Sequence, residues 1–191
     1  MKNNLQDFDI VLFKPRNFLH KIIAFFSGRY CHVGFAVTGK TLKRMLDKLS
    51  ISYEEGTIHE SNFFLIHGTM KHFGVGYDFL EDIMKIYGGT DIYRVTINDN
   101  NYIKLFVYCA STIYALHYDF LQLYLIFKKI IKGVFTKVSN RRRFSGITCS
   151  EWAGRGLILI GIRYNVSLEY ITPDQIVAHP FIEYIGYEEI C

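Results

Sequence analysis

Apolar and polar positions along the chain switch between a period of two and a period near three and a half. Phe8-Asp-Ile-Val-Leu-Phe13 is a compact β-type run closed by Lys14-Pro15, and apolar residues then recur at helical spacing from Asn17 to Ser27, ahead of Gly28. The chain is predicted to open strand, then helix. Cys31–Thr38 predicts a second strand ended by Gly39-Lys40, followed by a charged helix over Thr41–Leu49. Thr57-Ile-His-Glu60, Phe63–Ile66 and Asp91–Ile97 predict three further strands.

After residue 100 the pattern turns helical. Asn101 to about Leu116 predicts one helix, Asp119 to Lys132 a second ending at Gly133, and Cys149–Gly161 a third that begins at or just after the cysteine. Thr172-Pro-Asp-Gln175 has the form of a helix start, with Thr172 as N-cap, Pro173 at the first position and Gln175 placed to close a capping box. Ile182–Tyr187 completes the set as a strand. Strands crowded into the first half and helices into the middle predict an α+β fold.

The chain has 191 residues, half of them apolar, enough for one domain with a core of its own. No linker, repeat or low-complexity tract divides it. The most apolar stretch, Leu105–Phe127, is interrupted by Ser111, Thr112, His117, Asp119 and Gln122, and a spanning helix there would carry Asp119 into hydrocarbon. Buried helices are expected instead. The N-terminus lacks a secretory pattern, so a cytoplasmic or virus-associated protein is the expectation.

The net charge of +4 is mild, but Lys128, Lys129, Lys132, Lys137 and Arg141-Arg142-Arg143 gather much of it into one segment. This segment is either a solvated face or a contact with an anionic surface such as a membrane. Nucleic acid is not an expected partner, because no aromatic platform of defined spacing accompanies the arginines. The four cysteines, at 31, 109, 149 and 191, have neither C-x-x-C spacing nor the density of a disulfide framework. His59, His67 and His72 lie close in sequence, but no zinc spacing joins them to a cysteine or carboxylate. Neither metal nor cofactor is predicted.

A cysteine acts as a nucleophile only as thiolate, which a helix N-terminus and a neighbouring imidazole both favour. Ser145-Gly146-Ile-Thr-Cys149-Ser-Glu-Trp-Ala-Gly154 places Cys149 where a glycine-containing turn enters a helix, whose free N–H groups would also serve an oxyanion. His32, at the start of a strand, is placed to point from the strand end into a cleft. Glu60, at the end of Thr57–Glu60, is a candidate to accept from its second nitrogen and fix the tautomer. Each residue alone fits a purely structural role. Cys31 is expected to face away from His32, because neighbours on a strand point to opposite faces. Asp9 and Asp119 read as structural hydrogen-bonding groups.

The order Asp9-Ile-Val-Leu-Phe13, His32-Val-Gly-Phe-Ala-Val37, His59-Glu60-Ser61, Tyr93-Arg94-Val95, Tyr118-Asp119-Phe120, Thr148-Cys149-Ser150-Glu151-Trp152 and Thr172-Pro173-Asp174 resembles the permuted NlpC-type papain-like hydrolases, the group with YiiX-like and poxvirus members. The resemblance covers nearly the whole chain. It implies a circularly permuted papain-like fold in which an antiparallel sheet packs against helices and the nucleophile stands at a helix N-terminus. The chain would be a single domain, 1–191, with a basic helical insertion at about 119–144. Cys149 would be the nucleophile, His32 the base and Glu60 the orienting residue. The chain departs from the family pattern at Thr148, where an aromatic residue is frequent.

The function expected from this is a cysteine hydrolase of amidase or peptidase type, passing an acyl group to water through a Cys149 thioester. The substrate would be a peptide-, peptidoglycan- or lipid-linked amide or ester. Two alternatives remain. One is a lipid acyltransferase or phospholipase working at a membrane surface through segment 128–143, as the lecithin:retinol acyltransferase group suggests, although Thr148-Cys149-Ser150-Glu151 differs from that group's Asn-Cys-Glu-His. The other is a non-catalytic binding module of the same fold.

Overall fold

The computed structural model describes residues 4–54, 56–69, 71–118 and 146–188. The expected helix 119–132, the basic segment 128–143, Asp119 and Cys191 lie outside the described residues. Among those described, one sheet organises the chain. Its strands in chain order are β1 (Ile10–Phe13), β2 (His32–Thr38), β3 (Phe63–Thr69), β4 (Gly74–Phe79), β5 (Thr90–Val95), β6 (His117–Tyr118), β7 (Gly146–Ile147) and β8 (Ile182–Glu188). They lie in the order β7-β6-β4-β3-β2-β1-β5-β8. All neighbours are antiparallel except the two short strands β6 and β7, which run parallel at one edge. With its helices, this is the expected α+β architecture.

Pleat alternation divides the sheet's side chains between two unequal cores. Ile10, Leu12, Val33, Phe35, Val37, Phe64, Ile66 and Val75 face the larger one. It is closed by α2 (Gly39–Lys48), α4 (Asp99–Thr112), α5 (Cys149–Leu159) and α6 (Pro173–Val177), through residues such as Leu42, Met45, Leu105, Trp152, Leu157 and Ile176. Val11, Phe13, Ala36 and Leu65 face the other way, onto Leu80, Ile83 and Met84 of α3 (Leu80–Ile86). Cys109 is wholly buried in α4, as its helical apolar context predicts.

The helices begin where the sequence signals them. Asn17 caps α1 (Phe18–Ser27) by accepting from the His20 N–H, and Gly28 ends it with φ of +102°, a left-handed backbone that favours glycine. Thr148 caps α5 through the Glu151 N–H, and Thr172 with Gln175 forms the expected capping box at α6. Asp9 proves structural: buried beneath the sheet end, it takes two 2.7 Å bonds from the Arg94 guanidinium.

One expectation fails locally, and two elements were not foreseen. Thr57–Glu60 is not a strand; it belongs to a turn-rich segment in which Gly56 has φ of +88° and Ile58 alone is buried. β4 and α3 went unpredicted; in β4, Gly74, Gly76 and the buried Asp78 break the apolar alternation of a strand.

Trp152 anchors α5. Fully buried, it stacks on Tyr108 at 5.8 Å between centroids, and its indole N–H donates to Thr112 Oγ1 at 3.0 Å. Trp152→Ala is expected to lower stability by about 3–5 kcal/mol. Urea unfolding should show this as a lower midpoint at unchanged slope.

Candidate functional site

β2 and β3 pair from Thr38–Phe63 only as far as Phe35–Ile66. Beyond that pair, His32–Gly34 and His67–Thr69 lie outside the ladder, and the N-terminus of α5 occupies the opening. A β-carbon on Gly68 would stand 3.4 Å from Cys149 Cα and 3.5 Å from its nitrogen, in van der Waals contact, so the helix start lies directly against β3. The N–H groups of Val33 and Ser150 are aimed at the Cys149 sulfur. The thiol therefore sits in the split between two strands, at the first position of α5 and only 8% exposed.

On the opposite face of the same split lie His32 and His67, alternating with Val33 and with Ile66 and Gly68. His32 Nε2 is 2.6 Å from His67 Nδ1, and His67 Nε2 is 3.1 Å from Asp78 Oδ2 on β4. All three side chains are buried. His72 Nε2 also reaches Asp78 Oδ2, at 3.0 Å, and the Lys71 ammonium caps Oδ1. Tyr87 lies parallel to the His32 ring, with centroids 5.6 Å apart, and Phe13 packs on it at 5.7 Å.

Electrostatics assigns the protons. Burial by itself would raise the Asp78 carboxyl, but hydrogen bonds from His67 and Lys71 outweigh it and hold the group well below the usual carboxylate range. As a carboxylate it can only accept, so His67 carries its proton on Nε2 and leaves Nδ1 as an acceptor. His32 must then donate from Nε2, which puts the lone pair of its neutral ring on Nδ1. Burial, then the adjacent His67, drives His32 well below its ordinary value; burial also lowers His67, against the pull of Asp78. Burial pushes the Cys149 thiol up to about 11 despite the N–H groups aimed at it. The resting site thus pairs a protonated thiol with a neutral imidazole. Among the described residues no hydrogen bond joins the two; the backbone N–H groups hold the sulfur and His67 holds the ring.

The structure brings Cys149 and His32 to one split in the sheet. It does not bring Glu60 there. Glu60 is exposed in the turn before β3, where its carbonyl accepts from the Lys40 N–H at 3.3 Å. The place expected for it beside His32 is held by His67, with Asp78 behind. The sequence did carry a signal for His67: the strand predicted over Phe63–Ile66 stops one residue short of it, and on a strand His67 shares a face with Leu65. Asp78 had no such signal, since β4 itself was not legible. Cys31 is buried, its thiol bonded to the Phe13 carbonyl at 3.4 Å, and burial pushes it up to about 12.

The α+β fold itself is shared by a solved structure. The chain superposes on the crystal structure described as the metalloprotein yiiX from Escherichia coli O157:H7, DUF1105, with a TM-score of 0.61 at 14% identity, covering 97% of this chain and 99% of that one. The two have the same fold. No protein-family model matches the chain, and no curated protein does.

That neighbour's description prompts a test of the donor set here. Asp78, His67 and His72 are the nearest approach to a metal site, but both Asp78 oxygens are taken by N–H donors, one of them the Lys71 ammonium, which puts a positive charge where a cation would bind. Among the described residues no group of three histidines, cysteines or carboxylates is arranged to hold a metal ion. No helix among them is long and apolar enough to cross a membrane.

Proposed function

We propose that the chain is a cysteine hydrolase of the permuted papain-like type, with Cys149 as nucleophile, His32 as base and His67, backed by Asp78, as the residue that positions the base. The observation that carries this reading is the chain Asp78–His67–His32, which fixes the free lone pair of the base on Nδ1 while the thiol stands in the same split of the sheet. Chain order supports it too: the histidine strands come first and the cysteine helix late, as a permutation requires, and the shared fold with yiiX agrees.

In the reaction, His32 Nδ1 takes the thiol proton as the sulfur attacks the carbonyl carbon of an amide or ester. The carbonyl electrons move to oxygen, and N–H groups at the start of α5 stabilise that charge. Collapse expels the amine or alcohol, which receives the proton from His32 and leaves a Cys149 thioester. Water, deprotonated by the same nitrogen, then releases the acid. His32⁺ is stabilised during attack because His67 and Asp78 accept along the chain. The substrate class stays at peptide-, peptidoglycan- or lipid-linked amides and esters.

Labelling with a thiol-directed electrophile across pH, mapped by mass spectrometry, tests the pair. Cys149 should react selectively near neutral pH, with Cys31 and Cys109 silent. His32→Ala should slow neutral-pH labelling by roughly a hundredfold and move the rise in rate toward the thiol's own value near 11. An inert Cys149 beside a reactive Cys31 would leave the fold as a binding module.

A further inference from the structure

We propose that a cleft at the corner of the sheet where β1, β5 and β8 meet is a second binding site, for an anionic group, phosphate monoester or carboxylate, joined to a flat ring. Among the described residues the cleft is lined by Lys14, Arg29, Asp91, Tyr93, Tyr184 and Tyr187, and its volume is about 480 Å³, within the range of small-molecule sites. Strand register builds it. Asp91 pairs with Tyr187 and Tyr93 with Tyr184, and residues paired across two strands share a face. On a regular strand, residues three apart such as Tyr184 and Tyr187 would point to opposite faces. A β-bulge removes that conflict: Ile185 is the extra residue on β8, so both tyrosines join Asp91 and Tyr93 on one side. They are 50% and 55% exposed, and Tyr184 meets Tyr93 edge-on with centroids 5.2 Å apart.

A chain of hydrogen bonds forms the floor. Arg29 Nη2 donates to the Tyr93 hydroxyl at 3.0 Å, and the Tyr93 and Tyr30 hydroxyls are 3.0 Å apart. Tyr30 donates to Asp91 Oδ2, and Lys14 Nζ donates to Asp91 Oδ1 at 2.8 Å. A carboxylate only accepts, so the donors all run toward Asp91, from Arg29 through the two tyrosines on one side and from Lys14 on the other. Asp91, Tyr30 and Tyr93 are buried and satisfied by this chain. The two cations are held by it without being used up, since Lys14 spends one of three N–H donors there and Arg29 one of five. The Arg29 guanidinium also lies over the Tyr30 ring, 4.5 Å from its centroid. Lys14 offsets Asp91, and Asp174, the other carboxylate near Arg29, accepts from the Tyr30 N–H at 3.3 Å. Among the described residues no carboxylate comes within ion-pair distance of Arg29 itself. Spare donors on a fixed guanidinium fork select an oxyanion, and the two half-exposed phenol rings select a flat neighbour to it.

Binding here needs no chemistry at Cys149, so it stands or falls apart from the hydrolase reading. Isothermal titration of the full chain with phenyl phosphate should show saturable binding, weakened by salt and roughly fivefold or more tighter than that of inorganic phosphate. Arg29→Gln should weaken phenyl phosphate by roughly tenfold or more, because a charge-assisted contact is lost. Tyr184→Ala should bring phenyl phosphate down to the level of inorganic phosphate and leave the latter within about twofold. Both side chains are exposed, so circular dichroism should stay as in the wild type. Benzoate identifies the anion: binding by phenyl phosphate alone assigns a phosphate monoester, binding by benzoate alone a carboxylate, and either supports the site. Saturable binding by neither probe, or binding that either substitution leaves unchanged, would overturn the proposal. So would phenyl phosphate binding no tighter than inorganic phosphate, which would reduce the cleft to a pair of surface cations.

Discussion

His67→Ala is expected to slow the neutral-pH reaction of Cys149 by roughly tenfold, less than the loss of the base itself in His32→Ala, because His32 keeps its place but loses its orienting partner, whereas Glu60→Ala should change it by less than about twofold. Without His67, nothing accepts from His32 Nε2, so the tautomer with its lone pair on Nδ1 loses its advantage and the imidazolium formed during attack loses the carboxylate behind it. His67→Gln separates this from mere damage to packing, because its side-chain carbonyl can still accept from His32 and should restore part of the rate. The pH profile of labelling gives the second readout: a structural defect lowers the curve throughout, but loss of positioning shifts it toward the thiol's own titration. Equal losses in the Glu60 and His67 variants would remove the role assigned to His67.

The buried pair also makes the fold sensitive to mild acid. His32 and His67 both have folded values below the ordinary 6.5, mainly through burial. As pH falls through 6.5 the unfolded chain takes up protons that the folded chain refuses, so stability declines with falling pH. The slope is at most about 1.4 kcal/mol per pH unit for each histidine. His20 on α1, lowered by burial but partly exposed, adds a smaller share. Asp78 works in a different window. Its folded value lies below the ordinary 3.8, so its stabilisation is complete above that value and is lost only as pH falls further. The groups facing the pair, Asp78, Lys71, His72, His20, Tyr87 and Phe13, include one carboxylate, already committed to three donors. Urea midpoints measured from pH 7 down to pH 5 should fall steadily for the wild type and less steeply for His67→Gln. A flat wild-type profile would mean that the histidines protonate within the fold.

Much of this protein was legible without coordinates, where local chemistry acts alone. The strands β1, β2, β5 and β8 show as short apolar runs, the start of α6 as a capping box, and the placement of Cys149 at a helix N-terminus follows from the glycine-containing turn before it and the pattern after it. The role proposed for His32 came from its strand start together with the resemblance of the motif order to the permuted papain-like group. The third residue did not follow. Glu60 and His67 stand in sequence at comparable distances from His32, and only the register of β2 on β3, followed by β3 on β4, sets His67 beside His32 and Asp78 beside His67. Register is a property of paired strands, and β4 could not be read because Gly74 and Gly76 interrupt its apolar alternation and its buried Asp78 is satisfied by His67 on the neighbouring strand. The side of α1 that meets the core is likewise tertiary. Helical spacing reveals a stripe, but which stripe meets the core depends on the residues of Tyr87 and its neighbours that await it. Composition and local signals determined most of the elements and the helix start at which the proposed nucleophile stands; strand pairing and packing determined which residues stand near it, because contacts between residues far apart in the chain leave no periodic trace in either one.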